Sequence, residues 1–173
     1  MPADDQLSLE HRLRMWPPRS GPRPQAGIVP HDQLDQWPPP DIHQLLVERC
    51  LALPSVRTHE SRMALAKTLA LVLPQHLCEG PSDAFIDDSE FCHVHTLPGG
   101  YLHLTLPLPL RSTAIECGWA EPHPSANAGF VTGNLVLVYA PRNHDELEVA
   151  VLLVESSYCF ARGIDALSLR RSG

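Results

Sequence analysis

Phe91-Cys92-His93-Val94-His95-Thr96-Leu97-Pro98-Gly99-Gly100-Tyr101-Leu102-His103-Leu104-Thr105-Leu106 decides the fold. Phe91–Leu97 and Tyr101–Leu106 alternate and are rich in β-formers, which reads as two half-buried strands joined by a hairpin turn. Pro98 suits the first central position of a type I turn, and glycine suits the left-handed position that closes a three-residue loop. With that loop Leu97 faces Tyr101, His95 faces His103 and His93 faces Thr105. Side chains two apart along a strand share a face. Phe91, His93, His95, His103 and Thr105 are therefore expected on one side, and Cys92, Val94, Leu102, Leu104 and Leu106 on the other. A two-residue Gly99-Gly100 loop would shift the register by one and part His103 from the other two imidazoles. Pro98 favours the longer loop. Opposed Cβ atoms lie about 5 Å apart, close enough for three imidazoles to bind a metal, share protons or grip an anion.

The 173 residues suit one domain with a real core, and 43% are hydrophobic. The formal charge is −7 with no basic stripe, which disfavours nucleic-acid binding, since phosphate neutralisation drives most of that affinity. Cys50, Cys78, Cys92, Cys117 and Cys159 form no CxxC pair and are odd in number. That argues against a disulfide framework and against a cysteine-built zinc site, and fits reduced thiols in a cytoplasmic protein. The acidic start Met1-Pro2-Ala3-Asp4-Asp5 precedes no apolar run, so no signal peptide is expected. No stretch approaches the roughly 20 apolar residues of a membrane span, and no membrane partner is expected.

Residues 1–40 read as a proline-rich arm, with Trp16-Pro17-Pro18 and Trp37-Pro38-Pro39-Pro40 bracketing Gly21-Pro22-Arg23-Pro24. The arm is expected to be extended and held to the domain by its tryptophans, with the first dozen residues mobile. Residues 41–165 form the domain and 166–173 a tail. Helices are predicted over Asp41–Leu53, capped by Asp41, over Thr58–Leu73, and over Pro109–Cys117, closed by Gly118. The last and clearest helix runs from Asn143 to about Ala161, with Asn143 and Glu146 as an approximate capping box and Gly163 as its stop. Strands are predicted at Ala84–Ile86, in the hairpin, around Gly118–His123 and at Leu135–Tyr139. The segment with Asn127, Gly129 and Gly133 reads as a loop. This order predicts an α+β fold, one two-layer domain with a mostly antiparallel sheet and helices on one face. The leucine face of the hairpin would meet the helices. The histidine face would look into a cleft or lie under the arm.

Three blocks now coincide with a known family. They are Glu90-Phe91-Cys92-His93-Val94-His95 with Leu102-His103-Leu104, then Gly118-Trp119-Ala120-Glu121-Pro122-His123-Pro124, then Val138-Tyr139-Ala140-Pro141-Arg142-Asn143 running into an acidic helix. Together they resemble the luciferase domain shared by fungal luciferases and many short bacterial proteins. Gly21-Pro22-Arg23-Pro24 and Pro30-His31-Asp32-Gln33-Leu34-Asp35-Gln36 on the arm resemble it too, so the likeness spans about residues 17–162. The resemblance implies addition of molecular oxygen to an electron-rich hydroxylated pyrone, 3-hydroxyhispidin, with loss of carbon dioxide. It implies oxygen as co-substrate and no required metal or organic cofactor. Its pattern falls here on His93, His95, His103, Trp119, His123, Tyr139 and Arg142. The fungal enzymes carry an N-terminal membrane-anchoring stretch that this sequence does not show, and the bacterial members look closer to it.

These residues have sharp and bland readings. His93, His95, His103 and His123 are the catalytic candidates. One imidazole would take a proton from an enolic or phenolic small molecule, and an imidazolium would stabilise the charge on reduced oxygen. Alternatively, His93, His95 and His103 hold a metal with an open fourth position. The bland reading is a hydrogen-bonded polar sheet face. Trp119 walls an aromatic pocket or is plain core. Glu121 orients an imidazole through its second nitrogen or is an exposed charge. Tyr139 and Arg142 flank Pro141, and Arg142 either clamps a substrate anion or pairs with Asp145, Glu146 or the arm. Arg23 and His31 close over the cleft as a lid or serve as a packing strap. His11, His43, His59, His76 and His144 read as surface, and Asp83, Asp87, Asp88 and Glu90 as a solvated acidic loop.

Overall fold

The computed structural model describes residues 9–64 and 67–165. The expectations for residues 1–8 and for the tail lie outside them. Six antiparallel strands form one sheet: β1 (Arg57–His59), β2 (Thr68–Val72), β3 (Glu90–His95), β4 (Leu102–Thr105), β5 (Ala120–Pro122) and β6 (Leu135–Val138), in the order β1-β2-β3-β4-β6-β5. Among the described residues five helices accompany it: α1 (Leu9–Met15), α2 (Pro40–Leu51), α3 (Leu108–Glu116), α4 (Pro124–Asn127) and α5 (His144–Arg162). The fold is α+β in a single domain. No described helix is long and apolar enough to cross a membrane.

The leucine face of the hairpin carries the core. Cys92, Val94, Leu102 and Leu104 are buried with Val136 and Val138 of β6 and with α5 residues such as Val149, Leu153 and Tyr158. Burial of one such leucine contributes roughly 1.5–3 kcal/mol. α5 is buried along nearly its whole length. Asn143 Oδ1 accepts the Glu146 amide at its start, and Gly163, at φ 64°, ends it. The box closes one residue early: Glu146 Oε2 accepts the Arg142 amide rather than that of Asn143.

The hairpin register differs from expectation by two residues. His93 faces His103, Cys92 faces Leu104 and Val94 faces Leu102, while the His95 amide donates to the Tyr101 carbonyl. The Gly100 amide reaches back to the Thr96 carbonyl, and Gly100 takes the positive φ of 65°. A slip of two keeps every side chain on its own face because the strand period is two. The three imidazoles therefore gather as expected.

One residue of that face is misplaced. The register between β2 and β3 shifts between Leu71/Val72, where Leu71 pairs Cys92 but Val72 pairs Glu90. Such a bulge adds one residue and reverses the parity behind it. Phe91 consequently joins the core, edge-on to Tyr158 at 5.9 Å, and Glu90 turns to the histidine side.

The expected helix over Thr58–Leu73 is instead β1 and β2. A short apolar run such as Leu69-Ala70-Leu71-Val72-Leu73 has no decisive period, and pairing on both sides makes it an inner strand. Ala84–Ile86 is not a strand: a 3₁₀ turn spans Ser82–Ala84. Pro39 rather than Asp41 precedes α2, with no side-chain cap. Part of the stretch expected to be mobile is α1. Trp16 packs against the core, but Trp37 is half exposed and does not hold the arm. Gln33 does: its Oε1 accepts the Ala140 amide at 2.9 Å, and its Nε2 donates to the Asp35 and Gln36 carbonyls.

Candidate active site

A row of paired positions crosses five strands: Ala70, His93, His103, Leu137 and Glu121. Leu137 breaks the polar row, and the arm bridges the gap. His31 places Nδ1 3.1 Å from His103 Nε2 and Nε2 2.7 Å from Glu121 Oε1. Tyr139 donates its hydroxyl to Glu121 Oε2 at 2.7 Å. At the other end, Glu90 Oε1 accepts from His93 Nδ1 at 2.6 Å and is braced by the Ser61 hydroxyl at 2.8 Å. Between these ends, His103 Nδ1 lies 3.1 Å from His93 Nε2 and 3.2 Å from His95 Nε2.

These imidazoles line a cavity of about 290 Å³, at the lower end of the small-ligand range. His31, His93, His95, His103 and His123 border it, and Ile28, Val29, Met63 and Phe130 stand exposed around it. His123 Nδ1 accepts the Ser125 amide at the start of α4. Tyr101 stacks on His95 at 3.9 Å and gives its hydroxyl to Asp32, which also borders the cavity.

Burial sets the charge state of the rings. Desolvation, then the neighbouring His93 and His31, pushes His95 down to about 3. Desolvation, with His31 and His93 again, pushes His123 down to about 4. His103 lies well below the ordinary value through burial first and four surrounding imidazoles second. Burial pushes Glu121 up, but hydrogen bonds from His31 and Tyr139 outweigh it and hold the carboxyl below its usual range. Burial, then the Glu121 carboxylate, raises Tyr139.

The structure thus gathers His93, His95, His103, His123, His31, Glu121 and Tyr139. Glu121 meets the second nitrogen of an imidazole, and that imidazole is His31. His31 is a buried member of the row rather than a lid residue. Arg142 does not border the cavity. It pairs with the Glu146 carboxylate and donates to the Ser20 carbonyl and Gln36, fastening the arm to α5. Arg23 is exposed and donates to the Ile115 carbonyl. Trp119 is core. Three residues were missed. Glu90 was read as part of a solvated loop, yet it is 1% exposed. His43 was read as surface, yet its Nε2 contacts the His95 carbonyl at 3.0 Å. Asp32 drew no attention. Only the bulge would have exposed Glu90, and a bulge has no sequence mark here.

Residues 88–157 match the family model described as Luciferase domain. This stretch is similar to a luciferase domain. That match runs from the approach to β3 into α5 and so holds both carboxylate ends of the row. Over 87% of its length the chain is 29% identical to a luciferase of Armillaria gallica and 28% identical to one of Armillaria ostoyae. A luciferase of Neonothopanus nambi is 35% identical over 71 residues, or 39% of this chain and 26% of that protein. The chain spans 65% of the length of the Armillaria relatives. These luciferase-domain relatives are fungal and lend no support to the expected closeness to bacterial members. No solved structure matches significantly.

Proposed function

We propose that this protein is a luciferase-domain, oxygen-dependent oxygenase acting on a small enolic, phenolic or pyrone-like molecule held against the histidine face. The observation that carries the reading is one cavity bordered by five imidazoles and rimmed by apolar side chains. An apolar rim suits a flat organic ring, and convergent polar groups fix its orientation. The fungal luciferases supply the analogy for the reaction class.

Hydrogen-bond counting gives the chemistry. Four contacts link Glu90, His93, His103, His31 and Glu121. Each needs one N–H, because an ionised carboxylate only accepts. Three neutral imidazoles carry three. The row is one positive charge short, so it stabilises whatever cation completes it. In the simplest form that charge is the proton given up by the enol, shared by the row and balanced by Glu90 and Glu121. The enolate left behind is electron-rich enough to reduce oxygen, and the protonated imidazole within the row faces the anion that forms.

Purified protein mixed with 3-hydroxypyrones and related enols in an oxygen electrode tests this. Uptake above blank, reduced about 10²-fold or more by His103→Ala, is expected. No uptake across the panel, or an undiminished rate in the variant, would overturn it.

A further inference from the structure

The missing positive charge need not be a proton. We infer that His93, His95 and His103 form a binding site for one divalent transition-metal ion, with an open position toward the cavity. The inference concerns the same cavity as the reaction proposed above but stands whatever small molecule that cavity takes.

Three nitrogens converge: His93 Nε2, His95 Nε2 and His103 Nδ1. His103 Nδ1 lies 3.1 and 3.2 Å from the other two, and all three atoms lie within 4.8 Å of one another. Nitrogens about 2.0–2.1 Å from a tetrahedral ion lie about 3.3–3.4 Å apart. A single proton on His103 Nδ1 can serve one of its two neighbours well, and an ion serves all three.

The outer nitrogens are arranged for this. His93 gives its Nδ1 proton to buried Glu90, which leaves the Nε2 lone pair facing inward. His103 can give its Nε2 proton to His31 Nδ1, and His31 then gives its own Nε2 proton to Glu121. With an ion at the three inner nitrogens, every ring is neutral, the contacts Glu90–His93, His103–His31 and His31–Glu121 each have their N–H, and the ion takes the place of the fourth. Carboxylates behind ligating imidazoles fix the tautomer and strengthen the ligand. Two of these three ligands have that support, one directly and one through His31.

A second group, His31, His103 and His123, is nearly as close. It is not the site. His123 Nδ1 accepts the Ser125 amide, so the neutral ring carries its proton on the nitrogen it would need for a metal. Three neutral imidazoles with an open position suit zinc, iron or cobalt rather than magnesium or calcium, which prefer oxygen.

The test is calorimetric titration of chelator-treated full-length chain with zinc chloride, together with the visible spectrum after cobalt(II) addition. One equivalent and a tetrahedral cobalt spectrum are expected. His93→Ala and His95→Gln should abolish both, Glu90→Gln should weaken binding about 10–100-fold, and His123→Ala should leave the cobalt spectrum unchanged. Thermal melts of the variants control for folding, and the conservative His95→Gln keeps a side chain of hydrogen-bonding character if alanine unfolds the site. Absence of stoichiometric binding, or a cobalt spectrum lost in His123→Ala but kept in His95→Gln, would overturn the assignment. Oxygen uptake is read separately. Full uptake by protein that binds no zinc overturns the ion and leaves the reaction standing. Stoichiometric binding without uptake supports the ion and counts against the reaction.

Discussion

The hairpin β3–β4 has two faces built from the same two strands. Cys92, Val94, Leu102 and Leu104 on one face are almost wholly inaccessible and meet only apolar neighbours. His93, His95 and His103 on the other are equally buried, at 3–5% exposure, yet meet each other and a cavity. Burial is thus the same and its consequence opposite. The apolar face gains from leaving water. The imidazole face gives up solvation and recovers it only through ring-to-ring contacts and the two carboxylates. One face is fitted for stability, the other for holding charge at low stability return.

The sharpest way to break this contrast is Leu104→Ala. A fully buried leucine at the centre of the sheet should cost about 2–5 kcal/mol by chemical denaturation. His95→Phe keeps the stacking on Tyr101 and removes only the ring nitrogens, so its cost should stay within about 1 kcal/mol of zero. Replacing buried polar groups by apolar ones of like shape is often neutral or better. The same variant should lose oxygen uptake. Equal stability losses for the two would refute the division of labour between the faces.

Acid sharpens the comparison next. His95, lowered to about 3, and His123, lowered to about 4, are neutral in the folded chain near pH 5 but protonated when unfolded. The unfolded state therefore binds more protons, and stability rises with pH across that range. The contribution is full above the unfolded value near 6.5 and is lost as pH falls toward 4 and then 3. Metal-stripped protein should begin to weaken below about pH 6.5, well before ordinary carboxylates titrate. His123→Phe should flatten that slope, and Leu104→Ala should lower the whole curve without changing its shape. Melting temperatures at half-unit pH steps measure both.

The contrast between faces was legible in the sequence because it rests on a period of two, which survived a register error of two. What escaped has a common cause in long-range geometry. Glu90 looked like one more acid in Asp83-Ala84-Phe85-Ile86-Asp87-Asp88-Ser89-Glu90, and a bulge opposite Leu71 and Val72 turned it inward. The Thr58–Leu73 stretch has apolar spacing that serves helix or strand, and the partner strand chose. Arg142 carried the right chemistry for a substrate anion, but Glu146 one turn along claimed it. His31 was visible as a histidine on the arm. Its place between His103 and Glu121 follows from Leu137, which leaves a gap on β6 that only another segment could fill.

The smallest effect belongs to the far end of the row, and it separates support from chemistry. Tyr139→Phe removes one donor to Glu121 while His31 still donates to the other oxygen. Tyr139 is 3% exposed and packs with Tyr101 and Leu137, contacts that phenylalanine keeps. The loss of one hydrogen bond to a charged, partly solvated acceptor should cost about 0.5–1.5 kcal/mol. The Glu121 carboxyl, freed of that donor, should also titrate higher. Its depressed value now adds stability above the unfolded carboxyl range and loses it as pH falls below about 4, so the variant should show a weaker acid limb there. If the row works as a connected unit, oxygen uptake should fall by up to about 10-fold, as when outer partners of a site are removed. If uptake is unchanged while the acid limb shifts, Tyr139 serves the fold alone, and the functional part of the row ends at His31 and Glu121.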